Sequence, residues 1–295
     1  LGLRAARSRD VLFANGLYEE AALVSLISRK PLVCKVVGNP AWESLQLRES
    51  TDSSTSSLEE FDPKRLSFFL RVRHQLWKLA LSRATLLITP SHSLKRHLES
   101  LHLGSPIQVI ENGTTIPVLE SELHKYEVVT ISRLVPWKNL DVLIQAAREH
   151  DFRLAIAGDG PDLSRLVRLA EADSRISFLG RLESSQIGTL LRLSRIYALV
   201  STYEGLSYSL IEALAHGKAC VVSDNQGNMD ALHESHAAVV VPVGDVASTG
   251  QAITGLLSDV DLRKSLEGKA RLLAMRNYDK NQQLEKVCET LDAVF

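Results

Sequence analysis

No apolar run in the 295 residues approaches the ~20 needed to span a bilayer, so the sequence carries no transmembrane-helix signal. Cysteine is scarce. Cys34, Cys220 and Cys288 are odd in number and far apart, which argues against a disulfide framework and against a zinc site built on cysteine pairs. Cys34 and Cys220 sit inside apolar strand-like runs, the usage of reduced, buried thiols. Net charge is nearly absent, with 34 Lys and Arg against 35 Asp and Glu, so no global field draws the chain to nucleic acid. The chain opens Leu1-Gly-Leu with neither a methionine nor a signal-peptide pattern, and reads as one that begins inside a domain. Together these features predict a cytoplasmic protein.

What is present is an ordinary globular composition, 45% apolar and 23% charged, in a chain long enough for two cores. Residues 1–118 carry a net charge of about +4 and the remainder about −5, a small asymmetry. Apolar, β-branched runs alternate with helical periodicity almost throughout. Strands are predicted at Val11–Ala14, Leu32–Val37, Leu86–Thr89, Ile107–Ile110, Val128–Ser132, Leu154–Ala157, Ile176–Leu179, Ile196–Val200, Cys220–Ser223 and Ala238–Val241. Helices between buried strands imply βαβ units and parallel sheets, and ten strands are too many for one sheet at this length. An α/β protein of two doubly wound domains follows, with 1–118 the first, 119–278 the second and 279–295 a final helix. The seam falls near Ile116–Tyr126, after the turn signal Asn112-Gly113. Arg48–Glu60 is polar and low in complexity, which predicts a mobile loop. Pro63–Arg83 predicts a helix carrying Leu66, Phe69, Leu70, Trp77 and Leu81 beside Lys64, Arg65, Arg71, Arg73 and Lys78. A helix packed on the core with a solvated basic face is the plainer reading, and a membrane-surface helix the sharper one.

Three stretches carry chemistry. The loop Ser132-Arg-Leu-Val-Pro-Trp-Lys-Asn139 leaves the first strand of the second domain, with Pro136 stiffening the turn and Asn139 placed to cap the next helix. Arg133 offers a planar fork and Lys138 a point charge at the carboxyl edge of a parallel sheet, where open α/β folds bind ligands. Ordinary surface cations are the alternative. In Ile156-Ala-Gly-Asp-Gly-Pro161, Gly158 and Gly160 serve either the fold's geometry or the lining of a base pocket. Most informative is the stretch from Tyr203 to Gly217, which joins a strand to an amphipathic helix starting near Ser207 or Tyr208. It places Glu204 in the turn and Glu212 in the first two helical turns. Between them the N–H groups of Gly205, Leu206 and Ser207 can hold a phosphate, while the carboxylates grip hydroxyls, each such bond worth roughly 1.5–3 kcal/mol. A nucleotide sugar has a diphosphate in the middle and polyols at both ends.

These stretches, with Phe178-Leu-Gly-Arg181 and Val221-Val-Ser-Asp224 in the same order, resemble glycosyltransferase family 4, the group 1 retaining glycosyltransferases of GT-B architecture. The resemblance is dense over residues ~127–278 and thinner through Asp10–Gly16, Lys35–Glu43, Leu87–Lys95 and Val109–Gly113. It implies two Rossmann-like domains facing a cleft, the second holding the nucleotide-sugar donor and the first the acceptor. It also implies that Arg133 and Lys138 contact the donor diphosphate, that Glu212 holds the ribose hydroxyls, and that Glu204 lies near the transferred sugar. No cofactor and no metal are implied. The chain departs from the family in two places. Many members have Gly-Gly-x-Pro-Glu where this chain has Gln226-Gly-Asn-Met-Asp230, which predicts a differently shaped loop at the sugar. Many carry a histidine after a Lys-Val strand where this chain has Lys35-Val-Val-Gly-Asn-Pro-Ala-Trp-Glu43. His74, His92 and His97 lie in helical or capping positions and read as solvated or packed. Asp259-Val-Asp261 reads as helix surface, not a metal motif.

The first domain is expected to be incomplete, short of about 70 or more residues. The resemblance implies a hexosyltransferase acting on a sugar or lipid-linked glycan acceptor in glycan, lipopolysaccharide or exopolysaccharide assembly. Its site is in the cytoplasm, with peripheral contact at the inner face of the membrane as an additional expectation. A nucleotide-sugar-binding domain without turnover is the rival from another class, and a phosphorylase or sugar-phosphate synthase of the same architecture the third.

Overall fold

The computed structural model describes residues 10–49, 58, 61–118 and 125–294. Each of the ten predicted runs forms a strand. In chain order the first elements are β1 (Leu12–Ala14), α1 (Tyr18–Ser28), β2 (Leu32–Lys35), α2 (Pro40–Glu49), α3 (Phe68–Ser82), β3 (Leu86–Thr89), α4 (His92–Ser100) and β4 (Ile107–Val109). Then follow β5 (Tyr126–Ile131), α5 (Leu140–Glu149), β6 (Leu154–Ala157), α6 (Leu163–Ala170), β7 (Ile176–Gly180), α7 (Ser184–Arg192) and β8 (Ser194–Leu199). The chain continues through α8 (Tyr208–Ala215), β9 (Ala219–Ser223), α9 (Gln226–Leu232), β10 (Ala238–Val241), α10 (Val246–Ser258), α11 (Val260–Asn277) and α12 (Lys280–Val294). Two compact units result. The described residues up to Glu111, together with those from Glu285 onward, cluster in one, and the described residues of Asn112–Leu284 in the other.

The first unit is a parallel sheet in the order β1-β2-β3-β4. Val33, Leu86, Ile88 and Ile110 form a core that Val287 and Leu291 of α12 complete, and Gln108 Nε2 donates to Thr290 Oγ1 at 3.0 Å. The helix predicted at Pro63–Arg83 starts later, at Phe68. Pro63–Arg65 is a separate 3-10 turn capped by the Asp62 carboxylate, and extended backbone at Leu66 separates the two. One face of α3 buries Leu70, His74, Trp77 and Leu81. Burial pushes the His74 pKa down, and its ring stacks on Trp77. His97 contacts Asn39 Nδ2 at 3.0 Å, and burial drives its pKa down to about 4. Both are neutral packing residues at physiological pH. Of the predicted loop Arg48–Glu60, Arg48 and Glu49 close α2 and Leu58 is buried. The rest lies outside the described residues, as does 119–124 of the predicted seam.

The second unit is a six-stranded parallel sheet in the order β10-β9-β8-β5-β6-β7. Successive residues of its central strands enter opposite cores. Val128, Ile196, Ala198, Ala219 and Val221 face one layer. Val129, Tyr197, Leu199, Cys220 and Val222 face the other. A strand buried on both sides takes apolar residues at most positions, which is why these strands read as near-continuous apolar runs rather than alternating ones. Sheet growth runs one way from β5 to β7 and the other from β8 to β10. The loops after β5 and β8 therefore diverge, and a crevice opens between them at the carboxyl edge of the sheet. None of the described helices is long and apolar enough to cross a membrane.

Candidate functional site

The loop after β5 is built on the loop after β6. Ser132 N–H donates to Ala157 O (3.0 Å), Leu134 N–H to Asp159 O (2.9 Å) and Asp162 N–H to Leu134 O (3.1 Å). A Cβ on Gly158 would stand 1.8 Å from Ser132 O, and one on Gly160 would stand 2.2 Å from Leu134 O. Gly158 also holds a φ of +136°, which favours glycine. Between the two roles left open by the sequence, geometry accounts for both glycines: they let one loop lie on the other. The supported loop then turns through a 3-10 segment, Pro136–Lys138, whose Trp137 ring is buried. Arg133 stays exposed, its guanidinium over the Trp137 ring at 5.6 Å. Asn139 does not cap α5 through its side chain, contrary to expectation. Its backbone is left-handed (φ 47°), and its carbonyl accepts from Val142 N–H.

Across the strand-order reversal, the loop after β8 presents Glu204. Lys138 Nζ donates to Glu204 Oε1 at 2.5 Å, and Ser201 Oγ donates to the same oxygen at 2.6 Å. The side chains are 14% and 7% exposed, so this is an ion pair largely removed from water, not a surface pair. Thr202 N–H donating to Trp137 O (2.8 Å) fixes the spacing of the two loops. No described residue donates to Glu204 Oε2. The sequence brought Lys138 and Glu204 into the same site, but not into contact with each other.

The residues that hold Glu204 went unread in the sequence. Ser201 O accepts from Ser223 Oγ (2.5 Å) and from Asn225 Nδ2 (2.9 Å), tying the end of β8 to the end of β9. Asn112 Nδ2 donates to Leu206 O at 3.4 Å. Polar residues at successive strand ends were the available signal. The segment Gln226–Asp230, predicted as a loop, is the start of α9. Asn225 caps it by accepting from Asn228 N–H, and Gly227 sits so close that a Cβ would lie 2.0 Å from Glu204 O.

Helix α8 begins at Tyr208, with Ser207 Oγ accepting from Leu210 N–H at 3.4 Å. The Leu206 side chain points into the core, so Leu206 can serve a ligand only through its main chain. No described main-chain bond uses the N–H of Gly205, Leu206 or Ser207. Glu212 lies in the second turn, half-buried, and burial raises its pKa above the usual 4.5. Tyr197 beneath the helix donates to Ser209 Oγ (2.8 Å). Its pKa is pushed well up by burial and, in part, by the charges of Glu204 and Glu212. Asp259 is a helix cap, accepting from Leu262 N–H at 2.8 Å. Among the described residues no group of three or more His, Cys, Asp or Glu is placed to hold a metal ion.

Residues 111–273 match the profile of the glycosyl transferases group 1. Over 159 residues the chain is 26% identical to an alpha-D-kanosaminyltransferase of Streptomyces kanamyceticus, which covers 51% of this chain and 41% of that protein. It is 28% identical to a phosphatidyl-myo-inositol mannosyltransferase of Mycolicibacterium smegmatis over 67% of this chain and 55% of that one. The chain thus spans about half the length of these relatives. Among solved structures, Anabaena HepE in complex with UDP and glucose superposes with a TM-score of 0.78 at 21% identity, covering 98% of this chain and 79% of that one. That likeness establishes a two-domain Rossmann-like GT-B fold. With more than half of its residues inside the profile, the chain belongs to the glycosyl transferases group 1.

Proposed function

We propose that the second unit binds a nucleoside-diphosphate sugar, and that the protein transfers its hexose with retention to a hydroxyl of a sugar or lipid-linked glycan. The Lys138–Glu204 pair at the strand-order reversal carries this reading. An ammonium has three N–H donors and Glu204 engages one, so Lys138 can bridge to a diphosphate without leaving its partner. Arg133 and the N–H groups of Gly205, Leu206 and Ser207 add further positive potential at the start of α8. Glu204 Oε2 accepts from a hydroxyl of the transferred sugar, and Glu212 accepts from the ribose. In this reading these groups meet the diphosphate charge with no resident metal ion and no cofactor.

As the bond from the anomeric carbon to the diphosphate oxygen breaks, the acceptor oxygen bonds to that carbon on the same face. The acceptor proton passes to the departing diphosphate. Glycan, lipopolysaccharide or exopolysaccharide assembly is the setting. All three cysteines are free and two are buried, which supports a reducing, cytoplasmic compartment.

The test of retention is the product. The chain is incubated with UDP-, GDP- and ADP-hexoses and a glycan acceptor, and the anomeric proton coupling of the product is read by NMR. The donor's configuration is expected, and an inverted product would overturn the proposal. Nucleotide-sugar binding without any product would favour the rival binding-only reading.

A further inference from the structure

Helix α3 is apolar on two faces, and only one of them is used by the core. At about 100° per residue, Leu70, His74, Trp77 and Leu81 form the inward face. On roughly the opposite side Phe68, Phe69, Val72, Leu76 and Leu79 form a stripe about 100° wide. Phe68 is 80% exposed, Phe69 73% and Leu79 67%. A helix serving only its own core has polar residues at these positions.

The charge around the stripe is one-sided. From Pro63 to Leu98 the sequence has eight Lys and Arg and no Asp or Glu. Arg71 projects beside the stripe at its edge, and Lys64 stands on the preceding 3-10 turn. A groove of about 580 Å³ runs between that turn and the helix, lined by Lys64, Phe68, Arg71, Leu76 and Leu79 among others. On the other edge Arg73 shares a pocket with Glu19 and Glu20, so that flank is mixed. One edge is therefore purely cationic, next to an exposed apolar stripe that includes two aromatic rings.

From this we infer that the outward face of α3 is a docking surface for an anionic lipid bilayer. The stripe enters the boundary between headgroups and acyl chains, while Lys64 and Arg71 rest at the lipid phosphates. Their long stems follow the apolar surface and keep the charges at the level of the headgroups. An apolar protein surface would cover the stripe but offer these cations no counter-charge, whereas lipid phosphates offer it. Charge complementarity thus selects the lipid. The inference is independent of the donor site, which lies in the other unit.

The experiment is co-sedimentation of the chain with vesicles of phosphatidylcholine, alone or with about one third phosphatidylglycerol. Two double variants accompany it: Phe69→Ser with Leu76→Ser, and Lys64→Glu with Arg71→Glu. All four positions are on the outward side of the helix or its preceding turn, and circular dichroism and thermal melting check the fold. Partitioning onto the anionic vesicles is expected to exceed that onto neutral ones by at least ~10-fold and to weaken with salt. Each double variant is expected to reduce it about 10-fold. No binding to anionic vesicles, or binding indifferent to both double variants, would overturn the inference. So would concentration-dependent self-association abolished by the serine variant without vesicle binding, which would assign the face to a second copy of the chain.

Discussion

Replacing Lys138 by methionine is expected to lower turnover by about 100-fold or more while weakening nucleotide binding far less. In the proposed donor site the ammonium, held by Glu204, faces the diphosphate, so its charge matters most as negative charge accumulates on the leaving group. Binding retains Arg133, the main-chain N–H groups and Glu212. Methionine keeps most of the apolar stem, so packing around Trp137 is preserved. Stability also falls, because Glu204 is left 7% exposed with Ser201 as its remaining donor. Removing one partner of a buried pair costs about 3–5 kcal/mol, and partial solvation of Lys138 puts this case near the lower end. A second substitution separates the two effects. Adding Glu204→Gln removes the stranded charge, so the double variant should recover most of the lost stability and none of the lost turnover. Near-normal turnover in Lys138→Met would remove the lysine from the chemistry.

Gly158→Ala is expected to destabilise the second unit by about 3–5 kcal/mol, a fall in melting temperature on the order of 10 °C. Two independent faults add. The backbone holds φ at +136°, where an alanine is strained, and the new methyl would overlap Ser132 O at 1.8 Å. The struck carbonyl is main chain and cannot rotate away. The only relief is to lift the Ser132–Lys138 loop, which also displaces Arg133 and Lys138. Donor affinity in the fraction that stays folded should therefore drop as well. Gly255→Ala is the control. It lies on α10 with open space around it, and a helical glycine replaced there should gain a few tenths to about 1 kcal/mol. Equal melting temperatures for the two variants would contradict the supporting role assigned to Gly158.

These two cases show which parts of the molecule could be read from its residues. The central strands were legible because a strand buried on both faces is apolar along most of its length, as Leu154–Ala157 and Cys220–Val222 are, and the outer ones because they too are short apolar runs between helices. The start of α8 was legible because Ser207 is a cap and Tyr203–Gly205 a turn. Sheet order was not, since it depends on packing between distant segments. Without it the contact of Lys138 with Glu204, 66 positions apart, could not be drawn. Asn139 misled because its residue type suits a side-chain cap, whereas the 3-10 turn before it forces a left-handed backbone instead. Gln226–Asp230 misled because it lacks the periodicity of a long helix. Its single capping residue, Asn225, starts one all the same. Helix α3 packs Leu70, Trp77 and Leu81 inward, as its plainer reading expected, whereas Phe69, grouped with them in the sequence, is exposed.

The donor site itself is tested most directly by calorimetric titration of the chain and of Glu212→Ala with UDP-, GDP- and ADP-sugars. Glu212 is half-buried, and its carboxyl pKa is raised above 4.5 by burial. Ribose hydroxyls donating to it favour the charged form, so binding expels any proton it carries. Affinity should therefore rise with pH through the range just above 4.5, and this dependence should vanish in Glu212→Ala. One of the three nucleotide classes is expected to bind saturably to the wild-type chain, and the variant to bind it roughly 10- to 100-fold more weakly. No heat from any of the three, or an unchanged affinity in Glu212→Ala, would contradict the donor site.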